Sequence, residues 1–234
     1  MNKHKCALCK DEGYLMHDID FTRLYKMTDV VVPCHRCATG EHRAAMARRS
    51  GLEQREQLYT LDDWRIPALE PELQVQRRRA KTAIQCAVQY RRGFYTFWGD
   101  FGAGKSLALH IAINELRKAG IAGCYEPMAS ILEHLRQAYE HRDGTGNYWQ
   151  RLLSIPALAI DEVTRINGTE WAHERLFELI DVRYRKRRTH ATLLATNDDP
   201  TQSLPPEHKS MGYLYSRTLA PRCGAVQVCV KGRW

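Results

Sequence analysis

The residues best suited to chemistry form a glycine-rich turn between an apolar run and a helical pattern. Gly99 is followed by four residues and then by Gly104, Lys105 and Ser106, which is the spacing of a P-loop. Glycines let the backbone approach a polyphosphate, and the loop amides and the start of the next helix attract its oxygens. The lysine would reach the β- and γ-phosphates, and the serine hydroxyl would ligate Mg²⁺. The predicted phosphate-binding stretch comprises Gly99, Asp100, Phe101, Gly102, Ala103, Gly104, Lys105, Ser106 and Leu107.

Two further polar tips follow apolar runs of strand length. Asp161 and Glu162 come directly after Leu158-Ala-Ile160, and Asn197 ends the run that starts at Ala191. Two acids after a strand form a Walker B element when a P-loop precedes them: Asp161 would hold Mg²⁺ and Glu162 would orient the attacking water. Asn197 is placed to hydrogen-bond that water or the γ-phosphate. The alternative for Asn197 is an ordinary turn residue opening Asn-Asp-Asp-Pro.

Length and composition favour one α/β domain with a small appendage. The chain has 234 residues, of which 44% are hydrophobic, and no apolar run approaches the roughly 18 residues of a membrane span. Its start leads into Cys6 without an apolar signal region, so we expect a cytoplasmic protein with no membrane partner. The net charge of +8, from 35 basic and 27 acidic residues, favours a polyanionic partner or simply a solvated basic surface.

Four of the eight cysteines form two Cys-x-x-Cys pairs near the start of the chain. In a reducing compartment this spacing indicates a closed tetrahedral Zn²⁺ site rather than disulfides. So few residues bury little core, so the metal would supply much of the folding free energy. We expect a zinc-binding module over residues 1–40, with a strand at Val30–Pro33 leading into the second pair. The predicted zinc ligands are Cys6, Cys9, Cys34 and Cys37.

The rest of the chain alternates strand-like and helix-like patterns. A linker helix is expected over residues 41–58 and an α/β domain over residues 59–234. Alternation of this kind predicts a mostly parallel sheet whose ligands bind at the carboxyl ends of the strands. A polar loop is expected at Asp143–Asn147. Strands are expected at Phe94–Trp98, Ile121–Tyr125, Leu158–Ile160, Ala191–Ala195 and Ala225–Val230, and helices at Gln74–Arg92, Ser106–Lys118, Ala129–His141, Glu170–Arg187 and Met211–Leu219.

From about residue 55 onward the chain resembles the AAA+ ATPases of the DnaC/IstB group. The resemblance is carried by Gly99–Ser106, Leu158–Glu162 and Leu193–Asn197 in this order, and by the segment around Arg217. It implies a P-loop AAA+ αβα core with a five-stranded parallel sheet in the order 5-1-4-3-2 and no C-terminal lid. It also implies binding of ATP and Mg²⁺ and ATP hydrolysis.

The resemblance assigns roles to the same residues. Lys105 and Ser106 would be Walker A, Asp161 and Glu162 Walker B, and Asn197 the first sensor. Arg217 would be an arginine finger that acts on a neighbouring protomer, with Arg222 and Arg233 as alternatives. The active protein would then be a homo-oligomer, with ATP bound between protomers.

The four-cysteine module is similar to zinc modules with which helicase loaders hold the replicative DNA helicase. A loader would also contact single-stranded DNA. The segment Arg183–Arg188 has five cations and one aromatic ring, so its cations could track phosphates while Tyr184 stacks on a base. A solvated helix end whose cations complement the helix dipole explains the same residues.

Four functions are compatible with at least some of these features. The first is an ATP-dependent loader of the replicative helicase, and the second is an IstB-like ATPase helper of a DNA transposase. A non-enzymatic zinc adaptor would not need both Lys105 and Glu162. A small-molecule kinase would need a segment for its second substrate, and the sequence has none. The loader therefore becomes the expectation.

Overall fold

Strands and helices alternate through most of the chain, as the sequence predicts. The computed structural model describes residues 14–21, 25–33, 48, 50–66, 71–141, 145–166, 169–199 and 225–229. The strands are β1 (Tyr14–Phe21), β2 (Tyr25–Pro33), β3 (Gly93–Trp98), β4 (Gly123–Pro127), β5 (Ala157–Asp161), β6 (Ala191–Thr196) and β7 (Ala225–Cys229). The helices are α1 (Pro71–Tyr90), α2 (Lys105–Lys118), α3 (Met128–His141), α4 (Thr145–Ser154) and α5 (Glu170–Arg185).

Five of the strands form one parallel sheet in the order β4-β5-β6-β3-β7. Counted along the chain from β3 and read from the β7 edge, this is the expected order 5-1-4-3-2. β5 and β6 are buried at every position, because helices cover both faces of the sheet. The three strand tips predicted to carry polar groups consequently share one edge.

The hydrophobic core lies in two layers, one on each side of the sheet. One layer holds apolar residues of α3, α4 and α5, among them Met128, Leu153 and Leu176. The other holds α1 and α2, with Ile84 and Leu109 fully buried. Together with the sheet they form the αβα sandwich, and the P-loop helix α2 belongs to the second layer.

The N-terminal strands form a two-stranded antiparallel sheet of their own. Tyr14 pairs with Pro33 at one end, and Phe21 pairs with Tyr25 at the other. The expected strand at Val30–Pro33 is therefore present but longer, and the stretch before it forms the partner strand. The four predicted zinc ligands Cys6, Cys9, Cys34 and Cys37 lie outside the described residues.

Residues 50–58 differ from the linker helix expected over 41–58. They form bends, turns and a short 3-10 helix at Glu56–Leu58 that lie on the sheet domain. Leu52 is buried, and the Ser50 carbonyl accepts a hydrogen bond from the Tyr125 amide at 2.7 Å. Contacts with the domain outweigh the helix propensity of this charged stretch.

The α4 helix replaces part of the loop expected at Asp143–Asn147. Gly, Asn and Asp in this stretch favour a turn, but Trp149, Leu152 and Leu153 recur at helical spacing and are buried. Burial of that apolar face decides the conformation. Within the described ranges no helix combines the length and apolarity that crossing a membrane would require.

Candidate functional site

The P-loop runs from the end of β3 to the first turn of α2 with its glycines in positive-φ conformations. Gly99, Gly102 and Gly104 have φ of 144°, 72° and 88°. An added Cβ at Gly102 would meet no atom within 4 Å, so its backbone angle rather than crowding favours glycine there. Gly104 precedes the first residue of α2 as its N-cap, which leaves the first amides of the helix open to an anion.

Lys105 is buried at the base of this loop. Its ammonium donates to the carbonyls of Gly99 at 3.0 Å and Asp100 at 2.8 Å. Burial lowers the pKa of Lys105, and the nearby carboxylates of Asp161, Asp100 and Glu162 oppose that shift. The hydrogen bonds from Lys105 to these two neutral carbonyls can be exchanged for hydrogen bonds to phosphate oxygens, which are charge-assisted on both sides and therefore stronger.

Both carboxylate oxygens of Asp161 have donors. Tyr125 on the neighbouring strand β4 donates its hydroxyl to Oδ2 at 2.9 Å, and the Glu162 amide donates to Oδ1 at 2.8 Å. Burial, followed by the charge of Asp161, raises the pKa of Tyr125 and keeps its hydroxyl a donor. Asp161 is 5% exposed. The carboxylate is therefore held in one orientation at the strand tip.

Glu162 has φ of 47°, which is uncommon for a residue with a side chain. Strain of this kind costs about 1–3 kcal/mol and is concentrated at functional sites. The Glu162 carboxylate pairs with Arg165, whose Nη1 lies 3.1 Å from both oxygens. Arg165 is exposed, so solvent screens this ion pair.

The strand tip that carries Asn197 is joined to the tip that carries Asp161 and Glu162 through the buried Thr196 and the half-buried Thr164. The Thr164 and Thr196 hydroxyls lie 2.8 Å apart, and Thr196 Oγ1 also accepts the Asp198 amide at 3.0 Å. The Val163 amide donates to the Ala195 carbonyl at 2.9 Å. Asn197 itself is exposed and faces the same cavity as the P-loop.

A cavity of about 420 Å³ brings these predicted residues together. A cavity of this volume is within the size range of ligand sites. Its lining also contains Glu56, Tyr59 and His110, which were not predicted from the sequence. Only their position in the fold identifies them. The lining is formed by Glu56, Tyr59, Phe101, Gly102, Gly104, Lys105, Ser106, Leu107, His110, Asp161, Glu162 and Asn197.

His110 is the most confined of the missed residues. It is 6% exposed, and its ring lies parallel to Tyr59 at a centroid distance of 6.2 Å and edge-on to Tyr125 at 4.4 Å. Its Nε2 lies 3.7 Å from Glu56 Oε1 and has no hydrogen-bond partner among the described residues. Burial lowers the pKa of His110, while the carboxylates of Glu56 and Asp161 oppose the shift.

The basic segment Arg183–Arg188 does not form the continuous surface expected for DNA contact. Arg183 is fully buried and donates to Thr192 Oγ1 and to the carbonyls of Ile155 and Ala191. Tyr184 is also buried, so its ring has no open face on which a base could stack. Burial of the Tyr184 ring and the hydrogen bonds of Arg183 explain both residues as structural.

Several predicted residues lie outside the part of the chain that the structure describes. They include Arg217 and its alternatives Arg222 and Arg233, together with the four cysteines. Within the described ranges, no group of three or more His, Cys, Asp or Glu side chains is placed to hold a metal ion by itself. Ser106 and Asp161 fit a Mg²⁺ site of the kind in which nucleotide phosphates complete the ligand set.

Comparisons by sequence find no matching protein-family model and no matching curated protein. Comparisons by structure do find matches. The crystal structure of the DnaC helicase loader is 19% identical with a TM-score of 0.56, covering 76% of this chain and all of that one. The DnaI crystal structure is 16% identical with a TM-score of 0.57, covering 77% of this chain and 92% of that one.

The Aquifex aeolicus DnaA structure with bound AMPPCP is 18% identical with a TM-score of 0.58. It covers 74% of this chain, which spans only half the length of that protein. A primosome component from Streptococcus pyogenes covers 81% of this chain at 18% identity and a TM-score of 0.54. At these identities the likeness shows the fold alone, which this chain shares with the DnaA, DnaC and DnaI structures.

Proposed function

We propose that this chain is an ATP-dependent loader of a replicative DNA helicase. The observation that carries the proposal is the shared cavity at the carboxyl edge of the sheet, lined by the P-loop, Asp161, Glu162 and Asn197. The likeness to the DnaC and DnaI structures, which match over most of their own length, supports the loader as the biological setting. The nucleotide-bound DnaA structures of the same fold support ATP as the ligand.

In the proposed reaction each residue has one task. The P-loop amides and Lys105 would hold the phosphates, with Lys105 leaving the Gly99 and Asp100 carbonyls. Ser106 and Asp161 would hold Mg²⁺, which neutralises charge on the phosphates when bound. Glu162 would accept the proton of the attacking water, which requires its carboxylate to leave Arg165.

Oligomer formation completes the proposed ATPase site. Lys105 is the one Lys or Arg among the described residues that line the cavity. The nearby guanidinium of Arg165 is paired with Glu162, so we infer that a second cation for the phosphates comes from elsewhere. Arg217 is the proposed source, reaching the site of a neighbouring protomer, with Arg222 and Arg233 as alternatives. An arginine supplied in this way contributes orders of magnitude to the rate of phosphoryl transfer.

Zinc binding by the N-terminal module is a second part of the proposal. The β1–β2 pairing places Tyr14 opposite Pro33, five residues after Cys9 and one residue before Cys34. Both cysteine pairs are therefore attached to the same end of one hairpin. We propose that their four thiolates bind a tetrahedral Zn²⁺ there, and that the module folded in this way binds the helicase.

The proposed function is tested with the full-length chain and its host's replicative helicase. ATP turnover should be measurable, should respond to single-stranded DNA, and should be lost in Lys105→Ala. Lys118→Ala, at the exposed end of the same helix, should leave turnover unchanged. A chain that binds no ATP, or whose turnover persists in Lys105→Ala, would refute the proposal.

Partner choice is tested separately. The helicase should co-elute with the chain, and zinc analysis should find about one ion per chain. Replacing Cys6 and Cys9 by Ser should release zinc and abolish co-elution while ATP binding remains. Co-elution with a transposase but not with the helicase would favour the IstB-like alternative.

A further inference from the structure

Tyr125 connects the proposed magnesium ligand to the segment that precedes the sheet domain. Its hydroxyl donates to Asp161 Oδ2 at 2.9 Å, and its backbone amide donates to the Ser50 carbonyl at 2.7 Å. Because Asp161 Oδ1 already accepts the Glu162 amide, the tyrosine supplies the second of the two bonds that orient the carboxylate. One residue thus contacts both the strand tip and the incoming chain.

The Tyr125 ring is held by the P-loop helix. His110 lies four residues after Ser106 on α2, so the two side chains share one face of the helix. The His110 and Tyr125 rings meet edge-on at 4.4 Å, and His110 is 6% exposed. Movement of Tyr125 would therefore disturb the packing of the same helix that carries Lys105 and Ser106.

Residues 50–59, which we call the entry segment, contact both α2 and Tyr125. Asn114 of α2 donates its amide to the carbonyls of Glu56 at 2.7 Å and Tyr59 at 3.0 Å. Gly51 approaches Tyr125 so closely that an added Cβ would lie 2.0 Å from the Tyr125 carbonyl oxygen. The entry segment cannot keep this position if a side chain larger than hydrogen occupies position 51.

We propose that Tyr125 is a positioning residue for Asp161 and that the entry segment, by holding Tyr125, sets the affinity of the site for Mg²⁺. The inference rests on the proposed function, since it assumes that Asp161 serves a nucleotide-bound metal. Partners that orient a metal ligand typically change metal affinity by about 10- to 100-fold when removed. A structural element outside the P-loop and Walker B would then control metal loading.

The first test is Tyr125→Phe in the full-length chain. The half-saturating Mg²⁺ concentration for ATP turnover should rise about tenfold, while binding of a fluorescent ATP analogue in EDTA stays the same. Tyr95→Phe is the matched control, because Tyr95 is a buried strand tyrosine whose hydroxyl donates to the Arg92 carbonyl away from the cavity. Its Mg²⁺ dependence should equal that of the unmodified chain.

The second test separates the entry segment from the tyrosine itself. Gly51→Ala should reproduce the higher Mg²⁺ requirement although Tyr125 keeps its hydroxyl. Gly120→Ala is the control, since Gly120 has a similar positive φ, 79° against 72° for Gly51, and lies after the far end of α2. Both alanines strain the backbone, but only Gly51→Ala should change metal dependence.

The outcomes distinguish this inference from the proposed function. An unchanged Mg²⁺ requirement in Tyr125→Phe would overturn the positioning role, and an unchanged requirement in Gly51→Ala would overturn control by the entry segment. If the unmodified chain binds nucleotide but does not turn it over, the Mg²⁺ dependence of nucleotide affinity gives the same comparison. A chain that binds no nucleotide would refute the proposed function, and this inference with it.

Discussion

The hydroxyl of Thr164 lies 2.8 Å from the hydroxyl of Thr196, which joins the loop after Glu162 to the strand that delivers Asn197. Thr196 is 1% exposed, and its Oγ1 also accepts the Asp198 amide. This hydrogen bond therefore helps, together with the sheet, to fix the distance between Glu162 and Asn197, the proposed water-activating residue and the proposed sensor.

Replacing Thr196 by Val should lower ATP turnover about tenfold, because small displacements of catalytic groups have large effects on rate. Nucleotide affinity should change little, since the P-loop is untouched. Steady-state turnover and equilibrium binding measure the two effects. Thr96→Val is the control, because the buried Thr96 hydroxyl has no partner among the described residues and its loss should be neutral or stabilising. Equal turnover in Thr196→Val and the unmodified chain would show that the threonine bond has no catalytic role.

Replacing Glu162 by Gln should lower the rate of hydrolysis by about 100-fold or more while ATP still binds, because an amide cannot take a proton from water. Single-turnover kinetics measure the chemical step. Glu115→Gln is the matched control, since Glu115 also forms an ion pair three residues along its chain, with Lys118, but at the far end of α2. Retention of turnover in Glu162→Gln would remove Glu162 from the mechanism.

Acid should destabilise the fold through His190. Burial, then Arg183 and Lys186, lower the pKa of His190 to about 3 from its ordinary value near 6.5. Only the unfolded state therefore takes up the proton between these values. The free energy of unfolding should be independent of this group above pH 6.5 and fall below it, by up to about 1.4 kcal/mol per pH unit.

Urea unfolding between pH 5 and 8 checks this expectation. The His190 ring faces the Ser154 carbonyl and the Thr189 hydroxyl, and glutamine can restore part of that bonding. His190→Gln should flatten the pH dependence below 6.5, even if overall stability falls. His173→Gln, on the half-buried face of α5, should leave the slope in place. An unaltered slope in His190→Gln would assign the acid sensitivity to other groups.

Removing Arg183 should lower the free energy of unfolding strongly, so its effect should not be confined to DNA binding. Arg183→Met leaves the Ile155 and Ala191 carbonyls without their buried donor, at a cost of about 1–3 kcal/mol for each carbonyl. Arg185→Met removes an exposed arginine that pairs with Asp181 and should cost about 1 kcal/mol or less. Thermal unfolding ranks the two. Equal melting temperatures would mean that the buried arginine contributes nothing.

Much of the candidate cavity was predictable because the motifs that line it are local in sequence. The P-loop spacing, the acids at 161 and 162, and Asn197 each follow an apolar strand, and parallel strands bring such tips to one edge. Tyr125 and His110 were not predictable from the sequence. A tyrosine in a strand and a histidine in a helix have no distinguishing spacing, and their roles depend on which strand lies beside β5.

The misread segments share a different cause. At residues 50–58 and 145–147 local propensity favoured one conformation, and contacts with the domain or burial of an apolar face stabilised another. At Arg183 the charge pattern suggested a surface, but three backbone and hydroxyl acceptors surround the guanidinium. A run of basic residues in the sequence shows that a helix end is charged. It does not show which of those side chains faces the sheet.

The β1–β2 pairing gives the N-terminal two-stranded sheet two ends that lie far apart. With about 3.3 Å per residue, the eight residues of β1 set the Phe21–Tyr25 end roughly 23 Å from the Tyr14–Pro33 end. A crosslinker or fluorophore attached at one end would therefore detect partner contacts at that end and not at the opposite end. Labelling each end in turn would show whether the proposed helicase partner contacts the Tyr14–Pro33 end or the Phe21–Tyr25 end.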